Sequence, residues 1–262
     1  MRVPDVNLTE WDVILINTSA GKDSLAMMSV VVAQAKAAGV LDRVRAVHCD
    51  LGRVEWKGTK ELAEEHARHF GIPLDIVRRE KGDLLAQVRA RGRWPDSGNR
   101  YCTSDQKRDQ VAKVHTQLAA QAGRPIRILN CMGFRAEESL ARAKRQVMSR
   151  DDRTSNGRKL VMNWLPIHAW TLAQVWEEIR TSGARHHPAY DLGMPRLSCM
   201  FCIFAPKAAL MIAGRANPEL LDEYCAIEAE IGHRFTNRMA IAEVRDAIRA
   251  GEQPAQVEGW VM

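Results

Sequence analysis

Nowhere in the 262 residues does an apolar run approach the ~20 residues that a membrane-spanning helix needs, so no membrane partner is expected. The first residues, Met1-Arg2-Val3-Pro4-Asp5, lack the basic-then-apolar pattern of a secretion signal, and the expected location is cytoplasmic. Internal repeats and low-complexity tracts are absent too, which removes repeat arrays and long disordered arms from consideration. The G-x-x-x-x-G-K-[ST] spacing of the Walker loop does not occur, so a phosphate site has to be built in another way. What is there suits a globular protein: 46% apolar residues, enough for a substantial core, and 27% charged. The length fits one large domain, or one domain with a C-terminal extension. A formal net charge of +6 suits an anionic ligand such as a nucleotide or nucleic acid. In a reducing cytoplasm the six cysteines point to metal or redox chemistry rather than disulfides.

One short stretch organises the rest. Val13-Ile14-Leu15-Ile16 is an apolar run of strand length, and Leu25 to Val32 opens an amphipathic helix that continues toward Gly39. Between them lies Asn17-Thr18-Ser19-Ala20-Gly21-Lys22-Asp23-Ser24. A strand, a turn of small residues and a helix start bring unpaired N–H groups and a positive dipole end to one spot, which suits a phosphate. Lys22 adds a mobile cation, Asp23 a carboxylate able to ligate Mg²⁺, and Ser19 and Ser24 hydroxyls. The plain alternative is an ordinary strand-to-helix turn.

Further strands are expected at 44–48, 74–77 and 127–130, with helices at 59–70, 83–91 and from 102 to about 120. This alternation predicts an α/β fold, a doubly wound and mainly parallel sheet with helices on both faces. Ligands of such sheets bind beyond the strands' carboxyl ends at a switch point, where the turn and Asp50 are expected. Residues 144–162 predict a β-ribbon or flap around Gly157, and 163–167 a separate extended segment. Thr171 with Gln174 reads as a capping box, and Asn217 with Pro218 as a helix start. The expected organisation is a nucleotide-binding domain over 1–184 and a mainly helical extension over 185–262, carrying Cys199-Met200-Phe201-Cys202.

Taken in chain order, six motifs form a series: Ser19–Ser24; Cys102-Thr103 with Lys107; Gly133-x-Arg135-x-x-Glu138-Ser139-x-x-Arg142; Trp164-x-Pro166-Ile167; Pro188-x-Tyr190-Asp191-x-Gly193; and Cys199-x-x-Cys202. The series resembles the 3′-phosphoadenylylsulfate (PAPS) reductase-like branch of the adenine-nucleotide α-hydrolase superfamily. The PP-loop of that superfamily reads S-G-G-x-D-S, and here Ala20 replaces its first glycine. Within the branch the chain is most similar to the ATP pyrophosphatases of bacterial DNA phosphorothioation systems. The resemblance implies that Thr18, Ser19, Ala20, Gly21, Lys22, Asp23, Ser24, Asp50, Gly133, Arg135 and Arg142 bind ATP and that Asp23 holds Mg²⁺. It assigns catalysis to Lys22, Asp23, Arg135 and Lys107. The implied reaction splits ATP into AMP and pyrophosphate, adenylates an oxygen and replaces it by sulfur. The implied partners are a cysteine desulfurase as sulfur source and DNA or a DNA-binding protein; a homodimer is left open. A PAPS or adenylylsulfate reductase, a tRNA thiolation enzyme and a nucleotide-sensing module are the competing readings.

Each motif also has a plainer reading. Arg135, Glu138 and Arg142 are spaced to share a helix face, as a clamp on phosphate oxygens or as surface ion pairs. Lys107 faces either a ligand or solvent. Adenylylsulfate reductases resembling this chain hold a [4Fe–4S] cluster through an adjacent Cys-Cys and a distant C-x-x-C. Here Tyr101 stands at the first position of the pair, so Cys102, Cys199 and Cys202 carry over, and the fourth ligand is open, Cys131 or Cys225. Cys49 reads as core. No E-C-G-x-H tail follows Cys225, which argues against the sulfite-releasing route. Arg89, Arg91, Arg93 and Arg100, with Arg142, Lys144, Arg145, Arg150, Arg153, Arg158 and Lys159, are expected either to rim one polyanion-binding mouth or to lie on solvated loops.

Overall fold

The computed structural model describes residues 6–260; Met1–Asp5, on which the secretion-signal expectation rests, lie outside the described residues. Along the chain the strands are β1 Val13–Thr18, β2 Val44–Cys49, β3 Leu74–Val77, β4 Ile126–Cys131, β5 Met148–Arg150 and β6 Lys159–Trp164. The helices are α1 Lys22–Ala37, α2 Thr59–Phe70, α3 Leu84–Arg91, α4 Tyr101–Thr103, α5 Asp109–Ala122, α6 Leu140–Ala143, α7 Leu172–Ser182, α8 Lys207–Ala216, α9 Pro218–Ile231 and α10 Ile241–Arg249. Among the described residues no helix is long and apolar enough to cross a membrane.

The chain divides into two units. The first comprises Met1–Asp50, Gly58–Val77 and Asp109–His187; the second comprises Leu51–Lys57, Arg78–Arg108 and Pro188–Met262. The division differs from a single boundary at 184/185, because two internal segments join the C-terminal part. Packing explains it: Leu51, Val54, Trp56, Leu85, Val88 and Trp94 are buried in the same cluster as Leu210, Leu221 and Phe235.

In the first unit six strands run in the order β3-β2-β1-β4-β6-β5. All pairs are parallel except β5–β6. β1 reads as a continuous apolar run because both of its faces are covered. Ile14 and Ile16 pack into a cluster with Met27, Val31 and Val175, while Leu15 points the other way, toward Val114 and Leu118. α1 is buried nearly all round, which accounts for its many apolar residues. α7 starts with the expected capping box, in which Thr171 accepts from Gln174 N–H and Gln174 accepts from Thr171 N–H. The ribbon is present as the antiparallel β5–β6 pair, but β6 runs on to Trp164, so the separate extended segment expected at 163–167 begins as strand. The order of the sheet reverses between β1 and β4, and this is the switch point.

The second unit packs α3, α8, α9 and α10 around Trp94, Phe201, Tyr224 and Phe235. α8 approaches α9 and α10 closely at Gly214, where a Cβ would meet Leu221 at 2.7 Å and Ile248 at 2.8 Å. Asn217 caps α9 by accepting from Leu220 N–H, with Pro218 in the first turn, as the sequence predicts.

Candidate functional site

Between the end of β1 at Thr18 and the start of α1 at Lys22, the residues Ser19, Ala20 and Gly21 turn the chain at the switch point. The turn is held by its own polar groups. Ala20 N–H donates to Thr18 Oγ1 (3.2 Å), Ser19 N–H to Ser24 Oγ (3.2 Å), and Ser24 Oγ–H to Gly21 O (2.9 Å). Thr18 and Ser24 therefore shape the loop. Ala20 has φ 55°, in the left-handed region that glycine adopts without strain. After β4, Gly133 meets the same turn: a Cβ there would lie 2.8 Å from Asp23 O and 3.1 Å from Ser24 N. Glycine lets the loop after β4 touch the start of α1.

That contact brings Arg135 to Asp23, with Nε 2.6 Å from Oδ1, while Lys22 Nζ lies 3.0 Å from Oδ2. Lys22 and Arg135 are only 4% and 5% exposed. Burial pushes the Asp23 carboxyl up, but the two cations outweigh it and hold the group below the ordinary carboxylate range. Burial likewise pulls Arg135 down, and Asp23 reverses the shift. Two buried cations share one carboxylate at a helix start, an arrangement that favours an incoming phosphate. Each Asp23 oxygen thus faces one cation, Oδ1 the Arg135 guanidinium and Oδ2 the Lys22 ammonium. Asp50 follows β2, half-buried, with its N–H donated to Val77 O at 2.9 Å.

Arg135, Glu138 and Arg142 do not share a helix face, contrary to expectation. Ala136–Glu138 is a 3₁₀ turn, Ser139 is extended, and α6 begins at Leu140. Side chains interrupt the helix: Glu138 accepts from Arg135 N–H (3.0 Å), and Ser139 Oγ accepts from Arg142 N–H (3.2 Å). Arg142 pairs with Glu138 and lies over the Phe134 ring, 4.5 Å from its centre.

The sequence reading passed over Asn130 and Asn163. Asn17 donates to Asn130 Oδ1 (2.7 Å) and to Cys131 O (3.0 Å), and Asn130 donates to Asn163 Oδ1 (2.8 Å). This amide ladder ties β1, β4 and β6 together near their carboxyl ends. Asparagine inside three apolar strands, where it is ordinarily depleted, is the signal that points to it.

Cys102, Cys199 and Cys202 all belong to the second unit. Burial pushes the Cys199 thiol up to about 12, with Lys107 pulling it down and Cys202 and Cys102 pushing it further up. Cys202 is also raised, first by burial and then by Cys102, against a hydrogen bond from Phe204 N–H and the charges of Lys107 and Arg196. The three sulfurs thus share one electrostatic field, and Lys107 lies within it. Tyr101 is 2% exposed and donates to Arg93 O (2.6 Å), anchoring the 92–100 loop. Cys225 is raised by burial, but its charged neighbours are Arg245, Glu228, Asp222 and Asp246, not the three thiols. Cys131 is fully buried in the first unit's core. Cys49, expected in the core, is half-buried at the end of β2.

Among the described residues no three His, Cys, Asp or Glu side chains are close enough together to hold a single metal ion. Thiolates around one zinc at ~2.3 Å stand only about 3.8 Å apart; a multi-iron cluster takes its thiolates from farther apart. The donor chemistry fits such a cluster: three thiols in one field, Lys107 to offset charge, an N–H to Cys202, and one buried hydroxyl, that of Tyr224, without a partner.

The basic segments fall one in each unit. In the second, Arg89 pairs with Glu230, Arg91 with Asp105 and Arg93 with Asp96, while Arg100 lies over Phe204. In the first, Arg150 and Arg153 pair with Asp152 and Asp109, and buried Lys159 donates to Thr116. Lys144, Arg145 and Arg158 are exposed, with no ion pair among the described residues.

The family model for the phosphoadenosine phosphosulfate reductase domain matches residues 13–205, most of the chain. The chain belongs to that family. Adenosine 5′-phosphosulfate reductase of Allochromatium vinosum is 25% identical over 214 residues, covering 80% of this chain and 77% of that protein. An uncharacterised 37.8 kDa protein of Escherichia phage 186 is 28% identical over 147 residues, 56% of this chain. An uncharacterised protein of Methanocaldococcus jannaschii is 25% identical over 211 residues, 80% of this chain. The chain spans only about two fifths of the length of these last two, 42% and 40%. Among solved structures, PAPS reductase from Candida auris aligns with TM-score 0.47 and 16% identity, over 71% of this chain and 80% of that one. A U34-tRNA thiolase from Methanococcus maripaludis, solved with its [4Fe–4S] cluster, aligns with TM-score 0.48 and 13% identity, over 97% and 76%. The phosphoadenosine phosphosulfate reductase match takes in the turn after β1, Gly133, Arg135 and all three clustered cysteines; α8, α9 and α10 lie beyond it.

Proposed function

We propose that the protein is an ATP-dependent sulfur-transfer enzyme whose acceptor is a phosphate oxygen of DNA. The observation that carries this reading is the buried Lys22–Asp23–Arg135 constellation at the switch point, touched by the loop at Gly133. The acceptor oxygen attacks the α-phosphorus of ATP, the bond to the bridging oxygen breaks, and pyrophosphate leaves. Lys22, Arg135 and the N–H groups of the turn and helix start meet the charge that develops on the leaving pyrophosphate. Asp23, released from its two cations as they turn to the phosphates, becomes available to Mg²⁺. Sulfide then attacks the activated phosphorus and displaces AMP, which departs with the acceptor oxygen; a cysteine desulfurase supplies the sulfur as a persulfide, from which a thiol reductant releases it as sulfide while being oxidised to a disulfide. Cys102, Cys199 and Cys202 would hold a [4Fe–4S] cluster, which would supply sulfur-handling chemistry beside the nucleotide reaction. Lys107 balances the charge of these thiolates.

The test is anaerobic incubation of the protein with ATP, Mg²⁺, duplex DNA and sulfide. AMP and pyrophosphate are expected in equal amounts, and release of ADP and orthophosphate would overturn the assignment. Asp23→Asn should abolish the release and also lower the melting temperature, because it leaves two buried cations less well paired. Full release by that variant would remove Asp23 from the reaction. The similarity to adenosine 5′-phosphosulfate reductase favours a second reading, reduction of an adenylylsulfate. Sulfite formed from adenylylsulfate or PAPS in a parallel assay would select it.

A further inference from the structure

Tyr224 lies on α9, outside the region matched by the family model, and is only 1% exposed. Its ring is held on three sides: stacked on Trp94 at 5.1 Å, tilted against Phe201 at 4.8 Å, and edge-on to Phe235 at 6.1 Å. Phe201 is part of Cys199-Met200-Phe201-Cys202, so the ring packs directly against the segment that carries two of the thiols. The hydroxyl is buried and has no hydrogen-bond partner, whereas a buried tyrosine hydroxyl ordinarily finds one. Four acidic groups lie near enough to act on it electrostatically: Cys199, Cys202, Asp83 and Cys102. The Asp83 carboxylate is already engaged, accepting from Ala86 N–H (2.9 Å) and from Arg53 Nε (2.8 Å). The sulfurs remain. A tyrosine hydroxyl carries its proton at neutral pH and so has one hydrogen bond to donate.

We infer that Tyr224 donates a hydrogen bond to sulfur of the cluster held by Cys102, Cys199 and Cys202, and so sets its reduction potential from the helical extension. The inference rests on the cluster assignment made above. Reduction adds negative charge to the sulfurs, so a donor aimed at them stabilises the reduced form more than the oxidised one and raises the potential. Tyr224 is a positioning and tuning residue in this role; it ligates nothing.

The experiment compares parent protein, Tyr224→Phe and protein with difluorotyrosine at position 224, all purified anaerobically. Iron and sulfide are counted, and the midpoint potential is measured by a dye-mediated titration followed by electron paramagnetic resonance. The Phe variant keeps the ring and its packing, so iron and sulfide per chain should equal the parent's while the potential falls. Difluorotyrosine is a stronger donor, so its potential should rise above the parent's. That opposite sign decides the matter even if the Phe variant loads poorly. Loaded variants with the parent's potential would overturn the inference and leave the cluster standing. A parent chain without iron would overturn the cluster assignment itself, and the role of Tyr224 with it.

Discussion

Ala20 and Gly133 are a methyl group apart in chemistry and opposite in how the site tolerates them. Ala20 sits at φ 55° with its methyl buried. Mutation to glycine relieves roughly 1–2 kcal/mol of backbone strain. It also gives up about 0.8 kcal/mol of methyl burial and about 0.4–1 kcal/mol of unfolded-chain entropy. These contributions nearly cancel, so Ala20→Gly should change stability by less than about 1 kcal/mol, measured by urea unfolding. Gly133→Ala has no such compensation, because its new Cβ meets backbone, Asp23 O at 2.8 Å. Overpacking of this kind costs about 1–3 kcal/mol. The loop has to retreat, and Arg135 retreats with it. Gly133→Ala should therefore lose both stability and ATP affinity, read by unfolding and by titration with ATP. Unchanged ATP affinity would mean that the contact between the two loops is not needed for the nucleotide.

At the scale of elements, the segment from the 3₁₀ turn through the β5–β6 ribbon is where charge stays available. Lys144 and Arg145 follow α6, and Arg158 lies in the turn before β6, all three exposed and without an acidic partner among the described residues. Arg89, Arg91 and Arg93 instead have partners, because Glu223, Glu230, Asp96 and Asp105 stand beside them. A paired arginine brings little net charge to a polyanion. If DNA binds through the ribbon, the Lys144→Ala, Arg145→Ala and Arg158→Ala variants should each reduce the slope of log affinity against log salt by about 0.9. Arg93→Ala should leave that slope nearly unchanged. A DNA affinity independent of salt, or equal losses from both groups, would reject the ribbon as the contact.

At the scale of the whole molecule, the thiols separate into those that share a field and those that do not. Cys102, Cys199 and Cys202 act on one another, whereas Cys225 is surrounded by the charges of α9 and α10, and Cys131 is enclosed in an apolar core. Cys102→Ser, Cys199→Ser and Cys202→Ser should each remove the iron of anaerobically purified protein, counted colorimetrically along with its broad visible absorption. Cys131→Ser and Cys225→Ser should keep it. Iron lost from Cys225→Ser with the fold intact would make Cys225 the fourth ligand.

Much of the fold was legible from local signals. The apolar run of β1, the small-residue turn after it, the capping box at Thr171 and the Asn217-Pro218 start of α9 each depend on neighbours a few residues away, so a sequence displays them directly. The parallel alternation of strands and helices follows from the same periodicity. The family itself was legible in the order of its motifs, which the match over residues 13–205 bears out. Other features came only from tertiary structure, because they join residues far apart in the chain. Arg135 reaches Asp23 across 112 residues, and Asn17 reaches Asn130 across 113. No periodicity encodes which carboxylate an arginine meets, so paired Arg93 and exposed Arg158 look alike in the sequence. Nor does a helical pattern at Arg135–Arg142 reveal that Glu138 and Ser139 will take the backbone N–H groups and interrupt it. The grouping of 51–57 and 78–108 with the C-terminal third was likewise decided by burial, since their apolar residues complete a core whose other members lie far along the chain, from Ala189 onward.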